Sequence, residues 1–201
     1  MPNLQITGLT LAWQGDLPLF SHWNATLGPG LHWLQGDAGS GKTTLLRWLA
    51  GEALPGAGAQ GTVLVDGLPL AAPAAWLDAR DPAFDNLTAA ALRDHLRRRH
   101  PALDDAAWQR HIGGFNLAPH AFKTLHMLST GMRHKAALAA VLAAGAPLTL
   151  LDEPTAGLDV PATAWLVQAL TDLAARQRRW VLVAAGAWPD GLARAGDLLL
   201  G

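Results

Sequence analysis

The sequence predicts an α/β fold in which helices cover a mixed, mainly parallel sheet. Short apolar segments that suit buried strands alternate with helical segments, as where Leu31–Gln35 precedes a helix over Thr43–Ala50. Parallel strands need long crossover connections, usually helices, so this alternation favours a parallel sheet covered on both faces. Strands are expected at Leu4–Trp13 and Asn24–Leu27 with no helix between them, and they predict an antiparallel β part at the N-terminus.

The first predicted elements have distinct local signals. Leu4–Trp13 alternates with the period of a strand, and the Gly-Pro-Gly sequence at 28–30 makes a turn. The helix over Thr43–Ala50 has its leucines on one side, and Gly51 is a natural C-terminal stop. Residues 55–61 are rich in Pro, Gly and Ala, so a loop is predicted there.

The rest of the chain adds a helical sub-lobe and further strands. The segment Asp85–Lys135 is richer in Arg, His and Asp and has helically spaced leucines, which predicts several helices. The other predicted elements are a strand at Thr62–Val65, a strand at Leu148–Leu151, a helix over Pro161–Arg176, and strands at Val181–Ala184 and Leu198–Leu200. We expect one domain over 1–201, with a core of 1–85 and 138–201 and a helical sub-lobe over 86–137.

Composition excludes several classes of protein. The 201 residues are 50% hydrophobic and only 15% charged, against a typical charged fraction of ~25%, which excludes a disordered chain. The net charge is -1, whereas a general nucleic-acid binder would be basic. Cysteine is absent, which excludes disulfides and thiolate metal sites. The most apolar region, Ala136–Leu151, is interrupted and too short for a membrane helix, so a cytoplasmic location is expected.

A glycine-rich loop is the strongest signal in the chain. It matches the pattern G-x-x-x-x-G-K-[ST] through Gly36, Asp37, Ala38, Gly39, Ser40, Gly41, Lys42 and Thr43, and Thr44 extends it into the helix. In such a loop the backbone N–H groups and the helix N-terminus hold phosphate, the lysine reaches the β- and γ-phosphates, and the hydroxyl of Thr43 can ligate Mg²⁺. The alternative is an accidental glycine-rich turn, but the strand before and the helix after are the context that phosphate binding requires.

Two carboxylates follow the predicted strand at Leu148–Leu151. Asp152 at the strand end is expected to face the phosphate loop and to hold Mg²⁺, directly or through water. Glu153 is then expected beside the γ-phosphate, where it can orient or deprotonate the attacking water. The alternative is a solvated Asp-Glu-Pro turn that closes the strand.

Further segments make the chain resemble the ATP-binding cassette (ABC) ATPases. Leu128-Ser129-Thr130-Gly131-Met132 resembles the family's L-S-G-G-Q signature and precedes Asp152 as it does in the family. The segment 156–159, which ends in Asp159, is similar to the D-loop, and Trp13 occupies the place of the aromatic residue that stacks on adenine. The signature segment alone is also compatible with an ordinary helix N-cap, and Trp13 with a core residue.

The resemblance implies a P-loop NTPase (RecA-like) core with an inserted helical subdomain, and ATP with Mg²⁺ as its ligands. Glu153 and Lys42 are the implied catalytic residues. Ser129 and Gly131 are implied to clamp the ATP of a second cassette, in a homodimer or a heterodimer. A separate integral membrane transporter subunit is the implied partner, at the inner face of the bacterial cell membrane, and no nucleic acid is expected. The haem-exporter type of cytochrome c maturation is a similar class.

The chain departs from the family at two positions that normally serve hydrolysis. Arg80 (or Ala79) stands where a Gln is usual, and no Gln occurs between Gln60 and Gln109. Gly186 follows the strand at Val181–Ala184, where the family has a His. Loss of a contact to the γ-phosphate costs several kcal/mol of transition-state stabilisation. Slow hydrolysis, or hydrolysis at one site of an asymmetric pair, is therefore expected.

The sequence is compatible with three functions. The first is the ATP-driven motor subunit of an ABC transporter, for which the intact Lys42, Thr43, Asp152 and Glu153 argue. The second is a degenerate cassette that binds ATP and assembles but hydrolyses little. The third is a cassette of DNA repair or translation, which usually carries a coiled-coil insertion or a duplicated cassette, and the chain has neither.

Overall fold

A computed structural model describes residues 2–176 and 178–200. The strands are β1 (Leu4–Trp13), β2 (Phe20–Leu27), β3 (Gly30–Gln35), β4 (Ala57–Val65), β5 (Leu68–Pro69), β6 (Leu148–Asp152), β7 (Trp180–Ala184) and β8 (Gly196–Leu199). The α-helices are α1 (Lys42–Leu49), α2 (Ala89–Arg97), α3 (Asp105–Gly114), α4 (Thr130–Ala143) and α5 (Val160–Ala174). Short 3₁₀ turns lie at Pro82–Phe84, Ala118–His120 and Leu125–Met127.

An antiparallel sheet contains the strands in the order β2-β1-β4-β5. The loop prediction for residues 55–61 is wrong from residue 57 onward, because β4 begins at Ala57. The Ala- and Gly-rich half of β4 pairs with the second half of β1, with Leu11 opposite Ala59 and Trp13 opposite Ala57. Ladder hydrogen bonds to β1 therefore make a strand of a segment whose own composition favours a loop.

A parallel sheet contains the strands in the order β6-β7-β3-β8. Its side chains alternate between two buried clusters. On β7, Val181 and Val183 face the cluster that contains α4 and α5, and Leu182 faces the cluster that contains α1 and the antiparallel sheet. The predicted mixed, mainly parallel sheet with an antiparallel N-terminal part is confirmed. The loops after β3, β6 and β7 leave the same edge of this sheet, since parallel strands share the direction of their carboxyl ends.

The helical segment is joined to the core through α4. Helix α4 contacts α2, α3 and α5, and its residues from Lys135 to Ala143 are all buried. Helix α4 therefore continues from the predicted sub-lobe over 86–137 into the core. Helix α5 begins at Val160 and ends at Ala174, close to the predicted Pro161–Arg176. Within the ranges that the structure describes, every helix is too short or too polar to cross a membrane.

Several histidines are buried, and burial changes their protonation. His111 in α3 lies under Trp165 of α5, with ring centroids 6.0 Å apart. Burial, helped by the charges of Arg110 and Arg176, lowers the pKa of His111 to about 4. Burial is also the main cause that lowers the pKa of His32. The folded chain therefore keeps these imidazoles neutral at pH values where an unfolded chain would protonate them.

The free energy of unfolding is expected to fall as the pH is lowered from 7 to 5. A group whose folded pKa is depressed stabilises the folded state fully above the ordinary pKa and loses that contribution as pH falls toward the folded value. For His111 this lowers the free energy of unfolding by about 2 kcal/mol at pH 5.

Urea unfolding at pH 7 and pH 5 should show a smaller fall in the free energy of unfolding for His111→Gln than for the wild type. The exposed Phe122 provides a control without a titratable group, because Phe122→Leu should keep the wild-type difference. Equal losses in the wild type and His111→Gln would contradict this assignment.

Candidate functional site

The loop between β3 and α1 leaves no room for a side chain at Gly36 and Gly41. Gly41 precedes α1 with a φ of 94°, and a Cβ there would lie 2.7 Å from Leu19 Cδ2. A Cβ on Gly36 would lie 2.8 Å from the carbonyl oxygen of Leu200. Between them Asp37, Ala38, Gly39 and Ser40 form the tip, where the Ser40 amide donates to the Asp37 carbonyl at 3.1 Å. Such a loop, followed at once by a helix N-terminus, suits the binding of an anion.

Lys42 is the first residue of α1, and its side chain turns back over the loop. Its ammonium donates to the carbonyl oxygens of Gly36 at 2.6 Å and Asp37 at 2.9 Å. The cation is therefore held directly above the loop, where it adds positive charge to the N-terminus of α1.

The expected magnesium ligands meet at the carboxyl edge of the parallel sheet. The Thr43 hydroxyl donates to Asp152 Oδ2 at 2.7 Å, across 109 residues of sequence. Both are hard oxygen ligands, the type that Mg²⁺ prefers, and Mg²⁺ usually takes one or two protein oxygens and completes its shell with water and phosphate. The two side chains fit that requirement. Over 2–176 and 178–200 the structure contains no cluster of three or more His, Asp or Glu side chains that could hold a metal by themselves.

Glu153 is held in position from two sides. Its φ is 45°, which is uncommon for a residue with a side chain, and its amide donates to the Ala184 carbonyl at 2.7 Å. The Gly186 amide donates to Glu153 Oε1 at 3.1 Å. The backbone after β7 thus orients this carboxylate, a contact that the sequence did not indicate because a backbone amide leaves no residue signal.

Trp13 ends β1 beside the phosphate loop. With Leu19 it lines a cavity of about 270 Å³ that also contains Lys42, Thr43 and Thr44. Its indole also packs in part against the hydrophobic cluster under α1. The structure therefore brings Trp13 next to the phosphate loop while leaving it a packing role as well.

The signature segment begins a helix, as expected. Ser129 is the N-cap of α4, and its hydroxyl accepts a hydrogen bond from the Met132 amide at 3.2 Å. A Cβ on Gly131 would lie 2.5 Å from the Gly157 carbonyl oxygen, so the start of α4 touches the segment after β6. The contacts at Ser129 and Gly131 thus involve α4 itself and Gly157.

A buried lysine links α4 to α5. Lys135 donates to Asp159 Oδ2 at 2.7 Å, and Asp159 also caps α5 by accepting from the Ala162 amide at 2.9 Å. The hydrogen bond from Lys135 is the main cause that lowers the pKa of Asp159. These contacts hold the segment 156–159 against the signature helix.

A cavity of about 390 Å³ opens between β6, the segment 76–80 and the start of α4. Asp152 and Glu153 line it from the sheet, and Arg80 and His134 line it from the other elements. Burial lowers the pKa of His134 more than its contact with the Pro154 carbonyl raises it. Sequence reasoning identified Arg80 but missed His134, whose only signal is its place five residues after Ser129.

Arg133 fixes the segment that carries Arg80. Its guanidinium donates to the carbonyl oxygens of Ala79 and Asp81 and forms an ion pair with Asp85 at 2.5 Å. Only 17% of its side chain is exposed. The first turn of α4 is therefore tied to the segment 79–85, and sequence reasoning missed this residue as well.

Comparison with known proteins gives one consistent family. The family described as "ABC transporter" matches residues 21–156. The cytochrome c biogenesis ATP-binding export protein CcmA of Sphingopyxis alaskensis is 37% identical over 158 residues, which cover 78% of this chain and 77% of that protein. The nickel import ATP-binding protein NikO of Rhodobacter capsulatus is 33% identical over 98% of this chain and 84% of its own length.

Solved structures agree on the fold. The structure of a bacterial Atm1-family ABC exporter with ATP bound superimposes with a TM-score of 0.73 at 18% identity. The match covers 100% of this chain and 37% of that one. At that identity the likeness establishes the fold, which is the P-loop core that the sequence predicts.

Proposed function

Because this chain belongs to the ATP-binding subunits of ABC transporters, we propose that it is the motor that closes a two-cassette ATP sandwich and drives a separate integral membrane subunit. The resemblance to this family and the prediction of a transport-coupled ATPase are confirmed.

The contact between the phosphate loop and β6 supports this site most directly. Thr43 of the phosphate loop and Asp152 of β6 are in direct contact at 2.7 Å, and Glu153 is the next residue. In the proposal Lys42 binds the β- and γ-phosphates, and Thr43 and Asp152 would hold Mg²⁺. When bound, the ion neutralises charge that develops on the phosphates. Glu153, oriented by the Gly186 amide, accepts the proton of the attacking water.

The second half of each site comes from a second cassette in this proposal. Ser129 and the N-terminus of α4 provide a hydroxyl and a positive helix end for the γ-phosphate of the ATP that the second cassette binds.

Trp13 stacks on adenine, and its place beside the phosphate loop supports this role. The segment 86–137 acts as the lobe that carries the signature. The pair is a homodimer or a heterodimer, at the inner face of the bacterial cell membrane. The identity to CcmA supports the compact haem-exporter type.

Gly131→Ala is expected to reduce ATP turnover at least about tenfold while ATP affinity is kept. The added methyl would meet the Gly157 carbonyl oxygen at 2.5 Å, so α4 must shift away from the segment 156–159. Gly113 in α3 offers a matched control, because a Cβ there meets nothing within 4 Å. Turnover and nucleotide binding of both variants test this. Turnover that falls equally in Gly113→Ala would show that the contact between Gly131 and Gly157 is not the cause of the loss.

The degenerate cassette is the second candidate, and Arg80 and Gly186 favour it. An Arg cannot position a water as a Gln does, because its guanidinium only donates hydrogen bonds. Gly186 provides a backbone amide to Glu153 but no imidazole for the γ-phosphate. The intact Glu153, held on both sides, favours the motor instead.

Mg²⁺-dependent ATP turnover separates the two candidates. The chain should be measured as a complex with its membrane partner, and Glu153→Gln gives the background. Turnover well above that background supports the motor. Turnover equal to it, with ATP still bound, would replace the motor by an ATP-gated assembly module.

A further inference from the structure

The guanidinium of Arg80 lies beside the expected magnesium ligand. Arg80 Nη2 is 3.6 Å from Asp152 Oδ2, the same oxygen that accepts the Thr43 hydroxyl. Only 13% of the Asp152 side chain is exposed, whereas 69% of the Arg80 side chain is. One carboxylate oxygen therefore already faces a hydroxyl and a positive charge.

The local fold holds Arg80 in this place. Asp78 accepts from Arg80 Nε at 2.9 Å and from the Arg80 amide at 2.9 Å, with a longer contact to Nη2 at 3.3 Å. Burial by itself would raise the pKa of Asp78, but the hydrogen bonds and the charge of Arg80 outweigh it, and the pKa lies below its usual range. Asp78 is therefore ionised near neutral pH and keeps the guanidinium in place.

Two further contacts fix the backbone around Arg80. Ala75 pairs with β6, its amide donating to the Leu148 carbonyl at 2.8 Å, so the chain enters the site alongside that strand. On the other side Arg133 donates to the carbonyl oxygens of Ala79 and Asp81. The position of Arg80 thus follows from the sheet and from α4 together, and its side chain, although paired with Asp78, is exposed enough to meet a ligand.

We propose that Arg80 acts as a resident cation beside the magnesium ligands and lets this chain bind ATP with little dependence on Mg²⁺. The inference rests on the proposed ATP site. As an ordinary surface pair, Arg80 with Asp152 would contribute little to stability. Next to a triphosphate its charge matters more, because charge-assisted hydrogen bonds to phosphate oxygens are among the strong ones. The same charge lowers the attraction of Asp152 for a divalent ion.

The test is the ATP affinity of the full chain with saturating Mg²⁺ and with excess EDTA, measured by isothermal titration calorimetry. For the wild type we expect similar dissociation constants in the two conditions. For Arg80→Gln we expect ATP affinity in EDTA to fall about tenfold, the effect of losing one favourable charge contact of about 1.4 kcal/mol. Affinity with Mg²⁺ should stay close to the wild-type value. Arg80→Lys, which keeps the charge, should retain most of the affinity in EDTA.

Arg178 offers a matched control. Its side chain is 64% exposed and pairs with Asp66 at 3.4 Å, so Arg178→Gln removes a similar surface charge away from the site. The proposal is overturned if Arg80→Gln leaves the affinity in EDTA unchanged, if it lowers affinity equally with and without Mg²⁺, or if Arg178→Gln has the same effect. A wild type that binds no ATP in either condition would overturn the proposed function itself, and this inference with it.

A titration of Mg²⁺ gives a second readout. At a fixed, subsaturating ATP concentration, added Mg²⁺ should raise ATP binding clearly for Arg80→Gln and change it little for the wild type, because only the variant lacks the cation beside Asp152. An equal gain in both proteins would contradict the proposal.

Discussion

Glu153→Gln is expected to reduce ATP turnover by about 10²- to 10⁴-fold while ATP affinity stays within about threefold. The amide keeps the shape of the side chain and can still contact the Gly186 amide through its oxygen. It cannot accept a proton from water. The loss therefore falls on the chemical step and leaves the binding of ATP in place.

The chain provides its own control for this change. Its only other glutamate is Glu52, which pairs with Arg47 at 2.8 Å. Turnover of the complex with the membrane partner and ATP affinity should be measured for Glu153→Gln and Glu52→Gln together. Glu52→Gln should match the wild type in both. Glu153→Gln with wild-type turnover would show that another group takes the proton.

Lys42→Ala is expected to lower ATP affinity about 100-fold. The ammonium lies over the phosphate loop, within 2.9 Å of two loop carbonyl oxygens, and no other lysine side chain belongs to the loop. Its removal takes away charge-assisted hydrogen bonds to phosphate, each worth roughly 1.5–3 kcal/mol. The folded state should be little affected, because the Lys42 side chain is only partly buried and its hydrogen bonds go to carbonyl oxygens of the same loop.

Titration of the full chain with ATP measures the effect of Lys42→Ala. Lys123, in the loop before α4, supplies a lysine of the same kind elsewhere. Lys123→Ala should bind ATP like the wild type. If Lys42→Ala kept wild-type affinity, the phosphate loop would not be the ATP site. A fall in thermal stability shared by both variants would point to folding instead.

The sequence predicted those parts of the site that lie close together along the chain. The phosphate loop and the acidic pair after β6 are expected from neighbouring residues, and the start of α4 at Ser129 is expected from the resemblance of residues 128–132 to the family's signature. The order of strands and helices was predicted for the same reason. The loop expected at 55–61 is wrong from residue 57 onward, because the partner strand of that segment, β1, is distant in sequence and contributes nothing to local composition.

Contacts between distant segments were decided by the tertiary structure alone. The sequence proposed that Arg80 replaces a Gln, but its pairing with Asp78 and its distance from Asp152 depend on how the segment 76–80 runs beside β6. The contact of the Gly186 amide with Glu153 likewise requires that β6 and β7 be neighbours. Residue type therefore determined which chemistry was possible, whereas the packing of parallel strands, which brings their carboxyl ends to one edge, decided which groups meet.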